Sequence, residues 1–113
     1  MSISSIAVLG TGANGASIGA DLIDAGLDPV FIEQWPAHVE AMRAEGLRVH
    51  TPSGTRHVHP RVLHLCEVAT LRERFDLVLL VTKAYDARWA SALIEQYLAD
   101  DGAIAAVQNG MTT

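Results

Sequence analysis

The chain has 113 residues, half of them hydrophobic and only 5% aromatic, which suffices for one core but is small for a complete enzyme. The formal net charge of −5 and the lack of a basic run argue against a nucleic acid or a membrane surface as partner. The single cysteine, Cys66, excludes an intrachain disulfide, and no apolar run approaches the roughly 18 residues of a membrane span. We therefore expect a cytoplasmic protein.

A glycine-rich turn follows the first predicted strand, residues 6–9, and precedes a predicted helix over residues 16–25. This order makes the pattern G-x-G-x-x-G a fingerprint for dinucleotide binding. Gly10 allows the tight turn, Gly12 lets the backbone approach a pyrophosphate, and Gly15 lets the helix pack close to the strand. The alternative is a glycine-rich turn that binds nothing. The predicted cofactor-binding residues of the turn are Gly10, Thr11, Gly12, Ala13, Asn14 and Gly15.

Strands and helices alternate along the rest of the chain with short connections. This alternation predicts an α/β fold with a doubly wound parallel sheet, a Rossmann-like dinucleotide-binding domain. The strand over 77–81 is a continuous apolar run, which is typical of a strand buried on both faces. In chain order the predicted elements are a strand over 30–32 that ends at Glu33, a helix over 36–45 closed by Gly46, a strand over 47–51, short antiparallel strands over 56–59 and 62–65, the strand over 77–81, a helix capped by Asp86 and running to about Ala99, and a last strand over 103–107.

Polar residues follow the ends of four of these strands. They are the glycine turn, then Glu33, then Thr82 and Lys83, and last Gln108-Asn109-Gly110. The carboxyl ends of parallel strands meet at one edge of the sheet, where open α/β folds bind ligands. We therefore predict one binding site formed by all four. Taken singly, Lys83 is also compatible with an ordinary surface lysine and Asn109 with a turn residue.

Glu33 lies 18 residues past Gly15, where a carboxylate reaches the hydroxyls of the adenosine ribose. A carboxylate accepts hydrogen bonds from a free 2′-hydroxyl and repels a 2′-phosphate, so NAD(H) is favoured over NADP(H). A solvated acid at a strand tip is the alternative, and Arg43 and Arg48 could still lie near a 2′-phosphate. No metal is expected, because His57 and His59 share a strand face without a third ligand at suitable spacing.

These residues resemble the N-terminal domain of the ketopantoate reductase (2-dehydropantoate 2-reductase) family. The resemblance covers essentially the whole chain, and the lysine after one strand combined with Gln-Asn-Gly after the next is more specific than the glycine motif. The segments that carry it are residues 6–15, 81–86 and 107–110, with further similarity over 38–47.

Membership of this family implies hydride transfer from NAD(P)H to the ketone of a small 2-oxo acid. The family's type reaction converts 2-dehydropantoate to pantoate in pantothenate biosynthesis. Lys83 and Asn109 match the family's lysine and asparagine that contact the cofactor ribose and the substrate, so the resemblance implies a catalytic role for both. Trp35 stands where members that use NADPH usually have an arginine, which again favours NAD.

The resemblance also implies a partner for this domain. The family's helical C-terminal domain, which supplies the general-acid lysine and most of the substrate pocket, is absent from these 113 residues. We therefore interpret the chain as the cofactor domain of a two-domain enzyme, able to bind a dinucleotide but inactive alone, and a homodimer stays open. The alternatives are an NAD-dependent dehydrogenase of another 2-oxo or hydroxy acid, and a non-catalytic NAD(H)-binding module.

Overall fold

The structure, a computed structural model, describes residues 5–107 apart from the side chains of Ala13 and Ala84. The strands are β1 (Ile6–Leu9), β2 (Val30–Glu33), β3 (Leu47–Thr51), β4 (Gly54–Val58), β5 (Arg61–His64), β6 (Phe75–Leu80) and β7 (Leu98–Ala106). The helices are α1 (Ala13–Asp24), α2 (Pro36–Glu45) and α3 (Ala87–Glu95), with 3-10 turns at Leu65–Thr70 and Ala84–Asp86.

The main sheet has the strand order β5-β2-β1-β6-β7, and each neighbouring pair is parallel. The chain leaves β1 for β2 and β5 on one side, and returns to β6 and β7 on the other. Leu9 at the end of β1 therefore pairs with Ile32 on one side and Leu80 on the other. The order of the strands reverses at β1, so a crevice opens beyond its carboxyl end.

Helices cover both faces of this sheet, which confirms the predicted doubly wound fold. Successive side chains of a strand point to opposite faces, so Leu9 of β1 joins one apolar cluster and Val8 the other. The first cluster contains Ala90 and Ile94 of α3, and the second contains residues of α1 and α2. No helix within residues 5–107 is long and apolar enough to cross a membrane.

The prediction of two antiparallel strands over 56–65 is wrong in its second half. β4 does pair antiparallel with β3, but β5 lies parallel to β2, with His64 opposite Glu33. The buried side chain of Val62 explains the difference, since it packs in the core cluster that contains Phe31 of β2. Extension of the parallel sheet buries this apolar surface, which a longer exposed hairpin would leave in water.

The region around β6 differs from the prediction in three details. The strand begins at Phe75, and Leu77 and Leu79 on one face are only partly buried. The third helix ends at Glu95 because β7 starts at Leu98, which already pairs with Phe75. Asp86 occupies the N-cap position of α3 but makes no capping hydrogen bond with its side chain.

Candidate functional site

A cleft of about 1000 Å³ lies at the carboxyl ends of β1, β2 and β6. It brings together most of the residues predicted for the site. Ala13 begins α1 at its edge, and the predicted residue Asn109 lies outside the described residues, as do Gln108 and Gly110. The predicted residues that line the cleft are Gly10, Thr11, Gly12, Asn14, Gly15, Glu33, Thr82 and Lys83.

Two glycines of the turn are required by the fold. Gly10 has a φ of +97°, and a Cβ there would lie 2.8 Å from the carbonyl oxygen of Val81. A Cβ on Gly15 would lie 2.1 Å from the carbonyl oxygen of Gly10. Each position therefore excludes any larger residue, as the roles of a tight turn and of close helix packing predict.

Gly12 differs, because the fold itself does not require a glycine there. Its backbone is extended, with φ −68° and ψ −167°, and among residues 5–107 no atom beyond its chain neighbours lies within 4 Å of where a Cβ would be. Gly12 is also the N-cap residue of α1, without a capping side chain and without an acidic residue in the first turn. The helix thus presents its positive end to open space in the cleft, an arrangement that fits a pyrophosphate.

Glu33 is buried, with only 4% of its surface exposed, so it is not a solvated acid at a strand tip. Its Oε1 accepts hydrogen bonds from the backbone N–H of Thr11 (2.9 Å) and from the Thr11 hydroxyl (2.6 Å). Its Oε2 accepts a third from the N–H of Trp35 at 3.1 Å. His38 Nε2 lies 2.9 Å from the carbonyl oxygen of Thr11. Glu33 therefore braces the glycine turn from the end of β2, a role that the sequence pattern did not reveal.

We expect this brace to matter for stability. In Glu33→Gln the amide has one acceptor oxygen, so one of the three donors loses its partner; Thr11→Val removes the hydroxyl alone. Hydrogen bonds to a charged group contribute about 1.5–3 kcal/mol each, so either variant should lower the free energy of unfolding by that order. Urea denaturation measures the free energy of unfolding of each variant.

The control is Asp28→Asn, which changes an exposed acid at the opposite end of β2. It should change the free energy of unfolding by less than about 0.5 kcal/mol. Equal midpoints for all variants would contradict a bracing role.

Neither arginine considered for a 2′-phosphate lines the cleft. Arg43 donates from Nε and Nη2 to the carbonyl oxygen of Val62 and forms an ion pair with Glu67. The pKa of the Glu67 carboxyl is lowered, first by the hydrogen bond from the His64 N–H and also by Arg43. Arg48 borders a separate, smaller depression behind the start of α1. Among the described lining residues, Lys83 is therefore the one lysine or arginine.

Thr82 and Lys83 follow β6 on the other side of the crevice. The Thr82 hydroxyl is buried and has no hydrogen-bond partner among residues 5–107, so a polar acceptor or donor can be satisfied there. Lys83 is exposed and is the only lysine of the sequence. The only lysine of the chain therefore lies at a strand end in the same cleft as the glycine turn.

Several further residues line the cleft that the sequence did not identify as binding residues. Trp35 and Tyr85 are the large exposed side chains at its mouth, with 65% and 81% of their surface accessible. Each lies two to four positions after the end of a predicted strand, and this position is the sequence feature that could have identified it as a cleft residue. The others in this group are Gln34, Ala37, His38, Asp86 and Trp89.

His57 and His59 lie in β4 and just after it, and their side chains make contacts within the protein. The rings of His57 and His59 lie 4.7 Å apart, and His57 Nε2 lies 2.7 Å from the carbonyl oxygen of Glu45. Within residues 5–107, no group of three or more His, Cys, Asp or Glu side chains is arranged to hold a metal ion.

Comparison with known proteins identifies the family. The family model described as ketopantoate reductase PanE/ApbA matches residues 6–113. The chain belongs to the ketopantoate reductase family. A curated 2-dehydropantoate 2-reductase from Lactococcus lactis subsp. lactis (strain IL1403) is 34% identical over 79 residues, which is 70% of this chain and 25% of that protein.

Solved structures related to this ketopantoate reductase family member share its fold. The PanE/ApbA family ketopantoate reductase from Ralstonia eutropha JMP134 superposes with a TM-score of 0.82 and 31% identity, over 94% of this chain and 34% of that one. A D-mandelate dehydrogenase solved with NADH and anilino(oxo)acetate superposes with a TM-score of 0.85 and 25% identity, over 95% and 34%. The chain thus spans a quarter to a third of the length of these relatives.

Proposed function

We propose that this chain is the cofactor-binding domain of an NAD(P)-dependent oxidoreductase that reduces the ketone of a 2-oxo acid, with conversion of 2-dehydropantoate to pantoate as the leading candidate reaction. The observation that carries the proposal is the open space at Gly12, at the uncapped positive end of α1. A purely structural turn would not need a glycine there. We also propose that a helical second domain, outside these 113 residues, completes the substrate pocket and provides the general acid.

The residues of the cleft divide this work between them. The glycine turn and the N–H groups of α1 would hold the pyrophosphate, and the Glu33 side of the cleft would hold the adenosine ribose. Thr82, Lys83 and Asn109 would hold the nicotinamide ribose and orient the substrate. A nicotinamide dinucleotide supplies hydride to a ketone when it is bound. The Lys83 ammonium would attract the carboxylate of a 2-oxo acid and donate a hydrogen bond to an oxygen at the reacting end.

The charges of the cleft support a preference for NAD(H). The buried carboxylate of Glu33 stands at the end of β2, and the neighbouring Trp35 offers a neutral ring where a 2′-phosphate would need a cation. The arginines that could have supplied one, Arg43 and Arg48, face other parts of the molecule. The D-mandelate dehydrogenase whose structure superposes on this chain was solved with NADH, which supports NADH as the cofactor.

The 113-residue chain should bind NADH weakly but measurably, and more tightly than NADPH. The reason is the repulsion between the Glu33 carboxylate and a 2′-phosphate in a cleft without a compensating arginine. Calorimetric titration of both cofactors at equal ionic strength measures the two dissociation constants. A clear preference for NADPH would contradict the role given to Glu33, and absence of binding by either cofactor would contradict the proposed function.

A second candidate is a dehydrogenase of another 2-oxo or hydroxy acid. The structural similarity to D-mandelate dehydrogenase, with a TM-score of 0.85, favours this second function. The two candidates share the cofactor domain and differ in the substrate pocket. Steady-state kinetics of the full-length enzyme with ketopantoate and with a panel of aromatic and aliphatic 2-oxo acids distinguishes them through the highest kcat/KM.

A further inference from the structure

A second carboxylate, that of Asp86, lines the same cleft from the β6 side. It stands at the N-cap position of α3, where an aspartate ordinarily accepts a hydrogen bond from the helix, yet it makes no such bond. Its Oδ1 accepts instead from the indole N–H of Trp89 at 2.8 Å, and its Oδ2 from the side-chain amide of Gln34 at 3.4 Å. The carboxylate is therefore held by two side chains that line the cleft, and not by the backbone N–H groups of α3.

The contact between Asp86 and Gln34 joins two walls of the site. Gln34 follows β2 and Asp86 follows β6, and β1 lies between these strands in the sheet. The contact consequently bridges the crevice beside the glycine turn. It brings the Asp86 carboxylate within 3.4 Å of the side-chain amide of Gln34, which lies in the chain between Glu33 and Trp35.

The charge of Asp86 is not offset by its hydrogen-bond partners. An indole and an amide are both neutral donors, and no ion pair to Asp86 is found among residues 5–107. The one cation that lines the described cleft, Lys83, precedes the 3-10 turn, and its carbonyl oxygen accepts from the Asp86 N–H. The imidazole of His38 is occupied by the carbonyl oxygen of Thr11.

We propose that Asp86 is a second specificity-determining residue, which acts with Glu33 to exclude a dinucleotide that carries an extra phosphate on its adenosine ribose. The inference rests on the proposed function, since it concerns the cofactor of that site. The phosphate dianion meets two carboxylates that have no ion-pair partner among residues 5–107, whereas a free hydroxyl can donate a hydrogen bond to a carboxylate oxygen. Gln34 and Trp89 fix the position of the second carboxylate, because without them the side chain would be free to rotate and cap α3.

The test compares NADH and NADPH binding to the 113-residue chain and to Asp86→Asn by calorimetric titration. Asparagine keeps the shape and can keep both hydrogen bonds if the Gln34 amide turns over, so only the charge is lost. NADPH affinity should rise by about 3- to 10-fold, as expected for one charge near a dianion in a partly hydrated cleft, with NADH affinity within twofold. Added salt should reduce the difference between the NADH and NADPH affinities more in the parent chain than in the variant.

Two further variants keep the test decisive. Asp28→Asn removes the same charge at the far end of β2 and should not change the ratio of the two affinities. Asp86→Ser removes the charge and retains a good N-cap residue, so it serves if the asparagine variant does not fold. An identical ratio in the Asp86 and Asp28 variants overturns the inference while NADH binding upholds the proposed function. A parent chain that binds neither cofactor overturns both.

Discussion

Gly12→Val should abolish dinucleotide binding while the domain remains folded. The valine side chain would fill the space at the N-terminus of α1 that the pyrophosphate needs. Several hydrogen bonds to a charged group are then lost, each contributing about 1.5–3 kcal/mol, so the dissociation constant for NADH should rise by at least about 100-fold. The folded protein can accept the substitution, because the backbone at Gly12 is extended and its surroundings are open.

The measurement is a calorimetric titration with NADH, accompanied by thermal unfolding followed by circular dichroism. Valine is a poorer N-cap than glycine, so we expect a loss of up to about 1 kcal/mol in the free energy of unfolding. Gly15→Ala is the contrasting variant, since its Cβ would lie 2.1 Å from the Gly10 carbonyl oxygen. It should unfold at a much lower temperature. If Gly12→Val bound NADH as tightly as the parent, the turn would be structural only.

The strand, turn and helix that contain these glycines are the part of the fold that local sequence is sufficient to predict. The strand, the turn and the helix that follows are encoded within about twenty consecutive residues, so their roles could be assigned from spacing alone. The carboxyl ends of β1, β2 and β6 could also be predicted to meet, because parallel strands with short connections leave little choice of arrangement. In the structure, Glu33, Thr82 and Lys83 line one cleft together with the turn.

What the sequence could not provide were the pairings between distant residues. Val30 of β2 pairs with Arg61 of β5, 31 positions later in the chain, and a short apolar segment fits an antiparallel hairpin equally well. Likewise, Glu33 has the sequence spacing of a ribose ligand. Only the fold shows that its Oε1 accepts hydrogen bonds from both the backbone N–H and the hydroxyl of Thr11. The position of Asp86 suggested a helix cap, but a neutral amide from another loop competes for the carboxylate.

The last prediction concerns Lys83 and Asn109 in the full-length enzyme. Lys83 lies at the cleft on the end of β6, exposed and without a fixed partner among the described residues. Asn109 lies outside the described residues, and its assignment rests on the family resemblance of the segment Gln108-Asn109-Gly110. Truncation of either side chain to alanine removes one polar group and leaves the preceding strand, β6 or β7, unchanged in sequence.

Each variant should lower kcat/KM by roughly one to two decades on the best substrate. This is the kinetic equivalent of a lost hydrogen bond to a charged or strongly polarised partner, about 1.5–3 kcal/mol. Arg88→Ala is the matched control for Lys83, since it removes an exposed cation from α3 that does not line the cleft. Its kinetics should equal those of the parent. An ordinary surface lysine and a turn asparagine would leave kcat/KM unchanged in both variants, and that result would show that the reacting end of the site lies elsewhere.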